Sequence, residues 1–171
     1  MKRIPLLFIA AVLALPFHLS AELHSRASIQ RELLGTWKLV SYVREGIPSG
    51  AKSDVMGTHP QGYINYGSDG RMIVMIVGAG RKKPAGGVAT PAEAASLIKS
   101  MLAYAGTFTI DSGAKTVTHH IEISWDESRT GTDQVRTFNL EANHLTLTTQ
   151  PSTDPVTGEK TTRTLVWERM N

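Results

Sequence analysis

His119 and His120 stand side by side in TVTHHIEISW, residues 116–125, and Arg136 follows in VRTFNL. Imidazole is the side chain whose ordinary pKa lies nearest neutrality, so it suits proton transfer and metal binding. A guanidinium meets carboxylates and enolates through paired N–H groups. Whether such groups can cooperate depends on where they point. The stretch 116–125 is β-prone, and successive side chains of a strand point to opposite faces. His119 then falls with Val117, Ile121, Ile123 and Trp125 on an apolar face, and His120 falls with Thr118, Glu122 and Ser124 on a polar one. From a regular strand the two rings can neither share a metal nor exchange a proton directly. His119 is expected inside, where it either contacts a ligand as hydrogen-bonding partner, acid or base, or is satisfied by a neighbouring side chain or carbonyl. His120 is expected to be exposed.

Arg136 shares its face with Phe138 and Leu140. A bare buried charge is very costly. Arg136 therefore either receives a carboxylate or enolate of a ligand, or pairs with Glu141, Glu122 or a carbonyl, or is twisted to the rim. Tyr63, Tyr66 and Tyr104 offer phenolic hydroxyls, although tyrosines of such sheets also serve simply as packing. Trp125 and Trp167 fall on apolar faces as wall or core. The candidate ligand-binding residues are thus His119, Arg136, Tyr63, Tyr104 and Trp125, and no catalytic residue is assigned. His59 in a loop and His144 at a turn are scattered, so a three-histidine metal centre is the lesser alternative; no metal site and no cofactor is expected. The chain has no cysteine, which removes thiolate chemistry and cysteine-based zinc sites. It also lacks a G-x-S-x-G elbow and a phosphate-binding loop.

The elements that must position these residues are mostly strands. LLGTWKLVSYVRE alternates, with Trp37, Leu39 and Ser41 on one side and Lys38, Val40 and Tyr42 on the other. QGYINY and RMIVMIV flank GSDG and predict a hairpin. RMIVMIV is apolar on both faces and is expected to be covered on both. In TPAEAASLIKSMLAYAG, Thr90 is an N-cap, Pro91 suits the first helical position and Glu93 completes a capping box. Leu97, Ile98, Met101 and Leu102 make an apolar stripe at helical spacing, and Gly106 follows. GTFTI, KTVTHHIEISW, TDQVRTFNL, HLTLTTQ and RTLVWER then succeed one another across short turn clusters. About eight strands and one helix, without strand–helix alternation, predict an all-β, mainly antiparallel fold. Closing or nearly closing the sheet into a barrel removes its edges; a two-sheet sandwich is the alternative. A barrel of this size holds packed side chains or one small ligand.

The 171-residue chain opens with MKRIPLLFIAAVLALPFHLSA. A short basic end, an apolar run too short to span a bilayer, and small residues at Ser20 and Ala21 form the pattern of a signal peptide over 1–21. The expected organisation is signal peptide 1–21, lead-in 22–32 and one β-barrel domain over 33–171. The protein is expected in the periplasm or secreted, without stable membrane insertion after cleavage. Much of the formal net charge of +3 comes from Lys2 and Arg3. No basic stripe interleaved with aromatics remains, so nucleic acid is not an expected partner.

Gly35-Thr36-Trp37 resembles the GxW motif at the start of lipocalin and calycin barrels. Arg169 stands in the last strand, where those barrels often place an arginine against the tryptophan. LLGTWKLVSY, PQGYINYGSDGRMIV, AYAGTFTI, VTHHIEISW, GTDQVRTFNL, HLTLTT and LVWERM, in this order over about residues 33–170, resemble the bacterial and fungal lipocalin-like domain family. The resemblance implies a small barrel with a central cavity, and structural roles for Gly35, Trp37 and Arg169. It implies no activity: most members lack an assigned role, and some fungal relatives accompany natural-product pathways. Many relatives carry a Pro-aromatic pair in the bend after Trp125. Here Asp126-Glu127-Ser128 stands there, so that loop is expected to differ in shape. The expected function is binding of a small, largely apolar molecule. The alternatives are a cofactor-free isomerase or cyclase using His119 and Arg136, and an interaction module with a filled core.

Overall fold

The computed structural model describes residues 28–154 and 157–170. The expected signal peptide and the first part of the lead-in lie outside these residues. The described part of the lead-in is helical (α1, 28–33) and ends on the fully buried Leu33. The strands β1 (Gly35–Ile47), β2 (Lys52–Asp54), β3 (Gln61–Tyr66) and β4 (Arg71–Val77) follow. After them come helix α2 (Pro91–Lys99), β5 (Met101–Asp111), β6 (Thr116–Ser124) and a 3-10 turn at Glu127–Arg129. The chain ends with β7 (Asp133–Glu141), β8 (His144–Thr149), β9 (Ser152–Thr153) and β10 (Lys160–Arg169).

The eight long strands pair antiparallel in the order β1-β3-β4-β5-β6-β7-β8-β10, and β10 returns to β1 from Trp37↔Arg169 to Ile47↔Lys160. The sheet is therefore a closed antiparallel barrel, not a sandwich. The short β2 and β9 pair with the far ends of β1 and β10. The core lies within the cylinder: Trp37, Ile64, Val74, Ile76, Val117, Leu145 and Trp167 are all buried.

One end is plugged. The Trp37 indole N–H donates to the Leu33 carbonyl at 2.9 Å, and the Arg169 guanidinium lies 4.1 Å from the Trp37 ring centroid. Arg169 Nη1 donates to the Leu34 carbonyl at 2.9 Å, and Nη2 donates to the carbonyl of Glu32. Gly35 adopts φ +113°, and a Cβ there would stand 3.4 Å from Arg169 Nη1, so glycine keeps both the turn and the guanidinium in place. The loops that follow β1, β4, β6 and β8 surround the other end.

Two β-bulges overturn the simple alternation expected of the sequence. In β1 the register against β10 slips between Leu39 and Ser41, leaving Val40 as an extra residue. Tyr42, expected on the face of Lys38, is consequently turned inward and buried. In β6, Ile121 faces Gly106 but Ile123 faces Ala105, so Glu122 is extra. Ile123, expected inside, is 66 % exposed. RMIVMIV is covered on one face only: Met72, Val74 and Ile76 are buried, whereas Ile73 and Met75 are about half exposed on the outer wall. Helix α2 has the expected capping box at Thr90 and Glu93, but it ends with Ser100 as C-cap and buries none of its residues. Met101, Leu102 and Gly106 belong to β5, because pairing of β5 with β4 begins at Met101↔Val77.

Candidate functional site

A cavity of about 560 Å³ runs from the loop-ringed end into the barrel. Its inner walls include Ile64, Val74, Ile76, Leu147, Leu165 and Trp167. Its upper part is bounded by Lys99, Trp125, Arg129, Gln150 and Pro151, which belong to α2 and the loops around that end. The volume lies in the range of ordinary small-molecule sites.

Strand β6 carries His119 into this space through Val117–His119–Ile121, the alternation upstream of the bulge. The ring is 1 % exposed and held from both sides: Tyr66 Oη lies 2.7 Å from Nε2 and Tyr104 Oη lies 2.8 Å from Nδ1. Burial pushes the imidazole down from 6.5 to about 3, and the charge of Arg136 and then His120 push the same way. Burial raises the phenols of Tyr66 and Tyr104, the former well above its usual value, while Arg136 opposes that rise at both. At neutral pH the trio is therefore uncharged.

A neutral imidazole has one N–H and one lone pair. It can receive the hydrogen of one tyrosine and must donate to the oxygen of the other, whose own hydrogen is then free. Tyr104 lines the cavity, and Tyr66, 1 % exposed, is not part of its wall. The tautomer that wastes no buried donor has Tyr66 donating to Nε2 and Nδ1–H donating to Tyr104. The Tyr104 hydroxyl then offers its hydrogen to the cavity. His119 acts here by orienting Tyr104, and with both nitrogens engaged and a depressed pKa it is poorly placed as a general base.

Arg136 projects inward from β7 beside Thr149, its partner on β8. Its Nη1 donates to the Val135 carbonyl at 3.0 Å and its Nη2 to Gln134 Oε1 at 3.3 Å. Neither carboxylate considered as a partner reaches it: Glu122 is paired with Arg71 at 2.9 Å on the surface, and Glu141 accepts from Asn139 at 2.7 Å.

Residues 34–170 match the model of the lipocalin-like domain. The chain belongs to the lipocalin-like domain family. Comparison with curated proteins finds no match.

Of the sequence candidates, His119, Arg136, Tyr104 and Trp125 meet at the cavity of this lipocalin-like barrel. Tyr63 does not. It is 51 % exposed on the outer face of β3, since Gly62, Ile64 and Tyr66 take the inward positions of that strand. The hairpin supplies Tyr66 instead. Trp125 lies beyond the β6 bulge, yet its position just after the strand brings it against the cavity.

Arg163, Tyr42 and Trp167 also line the cavity. Arg163 carried the same signal as Arg136, alternating with Leu165 and Trp167 along β10. Tyr42 had no such signal, because its inward turn depends on the Val40 bulge. His120 is tied on the outer wall: Nδ1 is 2.7 Å from Asp133 Oδ1 and Nε2 is 3.0 Å from Thr109 Oγ1. This Asp–His–Thr chain crosses three strands on the outer sheet face, with Asp133 at the cavity rim, and serves to join β5, β6 and β7. Among the described residues no group of three or more His, Asp and Glu side chains is arranged to hold a metal ion.

Proposed function

We propose that this lipocalin-like barrel binds a small, largely apolar molecule, taken up through its loop-ringed end, and that it does so outside the cytoplasm. The observation that carries the proposal is the 560 Å³ cavity whose inner walls are aliphatic and indole surface while its far end is sealed by Trp37 and Arg169. Burying apolar ligand surface there contributes about 25 cal/mol per Å². The few polar groups, Tyr104 and Arg136 foremost, orient what enters. The export part of the proposal rests on the N-terminal pattern of a basic end, an apolar run and small residues.

The neutral fluorophore 1-aminoanthracene tests the binding reading on delipidated protein. We expect a saturable rise in emission at about one probe per chain, accompanied by a higher melting temperature. Ligand at one hundred times its Kd stabilises a fold by about 2.7 kcal/mol. A linear, unsaturable response with no thermal shift would remove the reading.

A further inference from the structure

We infer that the molecule bound in the cavity is acidic: an apolar body with a carboxylate head, seated at the arginines of β7 and β10. The inference deepens the binding reading above and rests on it.

The carboxylate site is a row of three inward-facing residues on adjacent strands. Arg136 of β7 stands opposite Thr149 of β8. Thr149 Oγ1 in turn accepts the backbone N–H of Arg163 of β10 at 3.0 Å. Two guanidinium groups thus enter the same side of the cavity, one strand apart. Arg163 spends one nitrogen on Ser152 Oγ at 3.2 Å, and Arg136 uses Val135 and Gln134. Neither forms an ion pair among the described residues. Two like charges facing one largely apolar space raise each other's cost. An entering anion relieves that cost and can be held by both forks.

The rest of the wall leans the same way. The cavity is lined by Lys99, Arg136, Arg163 and Arg129, the last paired with Asp126 at 3.6 Å, against a single lining carboxylate, Asp133, which is engaged by His120 on the outer wall. The indole N–H groups of Trp125 and Trp167 are buried without a hydrogen-bond partner among the described residues, and Trp167 is 1 % exposed. Tyr104 adds a free phenolic hydrogen by the tautomer argued above. The site is rich in hydrogen-bond donors, the complement of an oxyanion. Below the arginine row lie Leu147, Leu165 and Trp167, which would receive the apolar body.

Three ten-carbon probes of matched tail, decanoate, decanol and decyltrimethylammonium, are titrated against bound 1-aminoanthracene at neutral pH and low salt. Decanoate is expected to displace the fluorophore at about ten-fold lower concentration than decanol, the margin typical of a charge-assisted hydrogen bond. Decyltrimethylammonium is expected to be the weakest. Arg136→Gln and, independently, Arg163→Gln should each shrink the acid-over-alcohol margin to about three-fold or less, the margin being taken within each variant against that variant's own 1-aminoanthracene affinity. Equal displacement by decanoate and decanol, or a margin unmoved by both substitutions, overturns the inference and leaves the binding reading intact. Failure of 1-aminoanthracene to bind the unmodified protein overturns both. If one variant fails to fold, the other and the three wild-type titrations still decide.

Discussion

At the His119 ring, two hydrogen bonds and deep burial make the neutral form the only one the fold accommodates near neutral pH. The consequence is a defined pH dependence. The unfolded chain takes up the His119 proton near its ordinary 6.5, whereas the folded chain refuses it until about 3. Between those values the unfolded state binds more protons. The stability from this site is therefore complete above about pH 6.5 and is lost as pH falls toward about 3, by up to about 1.4 kcal/mol per pH unit. Urea unfolding at a series of pH values from about 7 to about 4 should show that slope, and His119→Gln should flatten it. A slope unchanged in the variant would assign the titration to other groups. The sequence placed this imidazole on an inward face and offered Tyr66 and Tyr104 as phenols, but it did not pair them with the ring. They come from β3 and β5, and only the barrel's curvature brings them to opposite edges of one ring.

The strands are regular except where bulges re-aim them. In β6 the extra residue Glu122 is accommodated because Gly106 on β5, which faces Ile121, has no side chain to meet the bulged backbone. A Cβ at Gly106 would stand 1.9 Å from the His120 carbonyl oxygen and 2.9 Å from the Glu122 nitrogen. Both are backbone atoms, which cannot swing aside. Gly106→Ala is therefore expected to destabilise the protein by about 3 kcal/mol or more, measured from urea midpoints. Gly87→Ala, at an exposed position where a Cβ meets nothing within 4 Å, should stay within about 0.5 kcal/mol of the parent. A near-neutral Gly106→Ala would mean that the bulge is not as tight as described. The bulge also explains why Ile123 was misplaced on the inner face: one inserted residue inverts the parity of everything after it. Nothing local in HHIEISW marks the insertion, since it exists only relative to β5.

The barrel as a whole is closed by contact between its first and last strands. The guanidinium of Arg169 joins them at the sealed end through the Trp37 ring and the carbonyls of Leu34 and Glu32. Replacing it by an apolar chain of similar length leaves two carbonyls without their donor and removes the cation–π contact. Arg169→Met is expected to cost about 2–4 kcal/mol in a single cooperative transition followed by urea denaturation. Tryptophan emission should shift together with the circular dichroism, because the closure is shared by all strands. A loss below about 0.5 kcal/mol would show that the β1–β10 ladder closes the barrel without help.

Local chemistry in the chain was enough to specify the antiparallel all-β character, the capping box at Thr90 and Glu93 and the inward aim of His119, while the pairing of Trp37 with Arg169 was implied by the family resemblance and the aim of Arg136 stayed open. The first three follow from side-chain period and turn residues, which act within a few residues. The tertiary structure alone decided the two bulges, the inward turn of Tyr42, the outward face of Tyr63 and Ile123, and the meeting of Tyr66 and Tyr104 on His119. It also set Arg136 and Arg163 one strand apart around Thr149. Each of these depends on register between strands far apart in the chain, and register is settled by which neighbour a strand finds when the sheet curls shut.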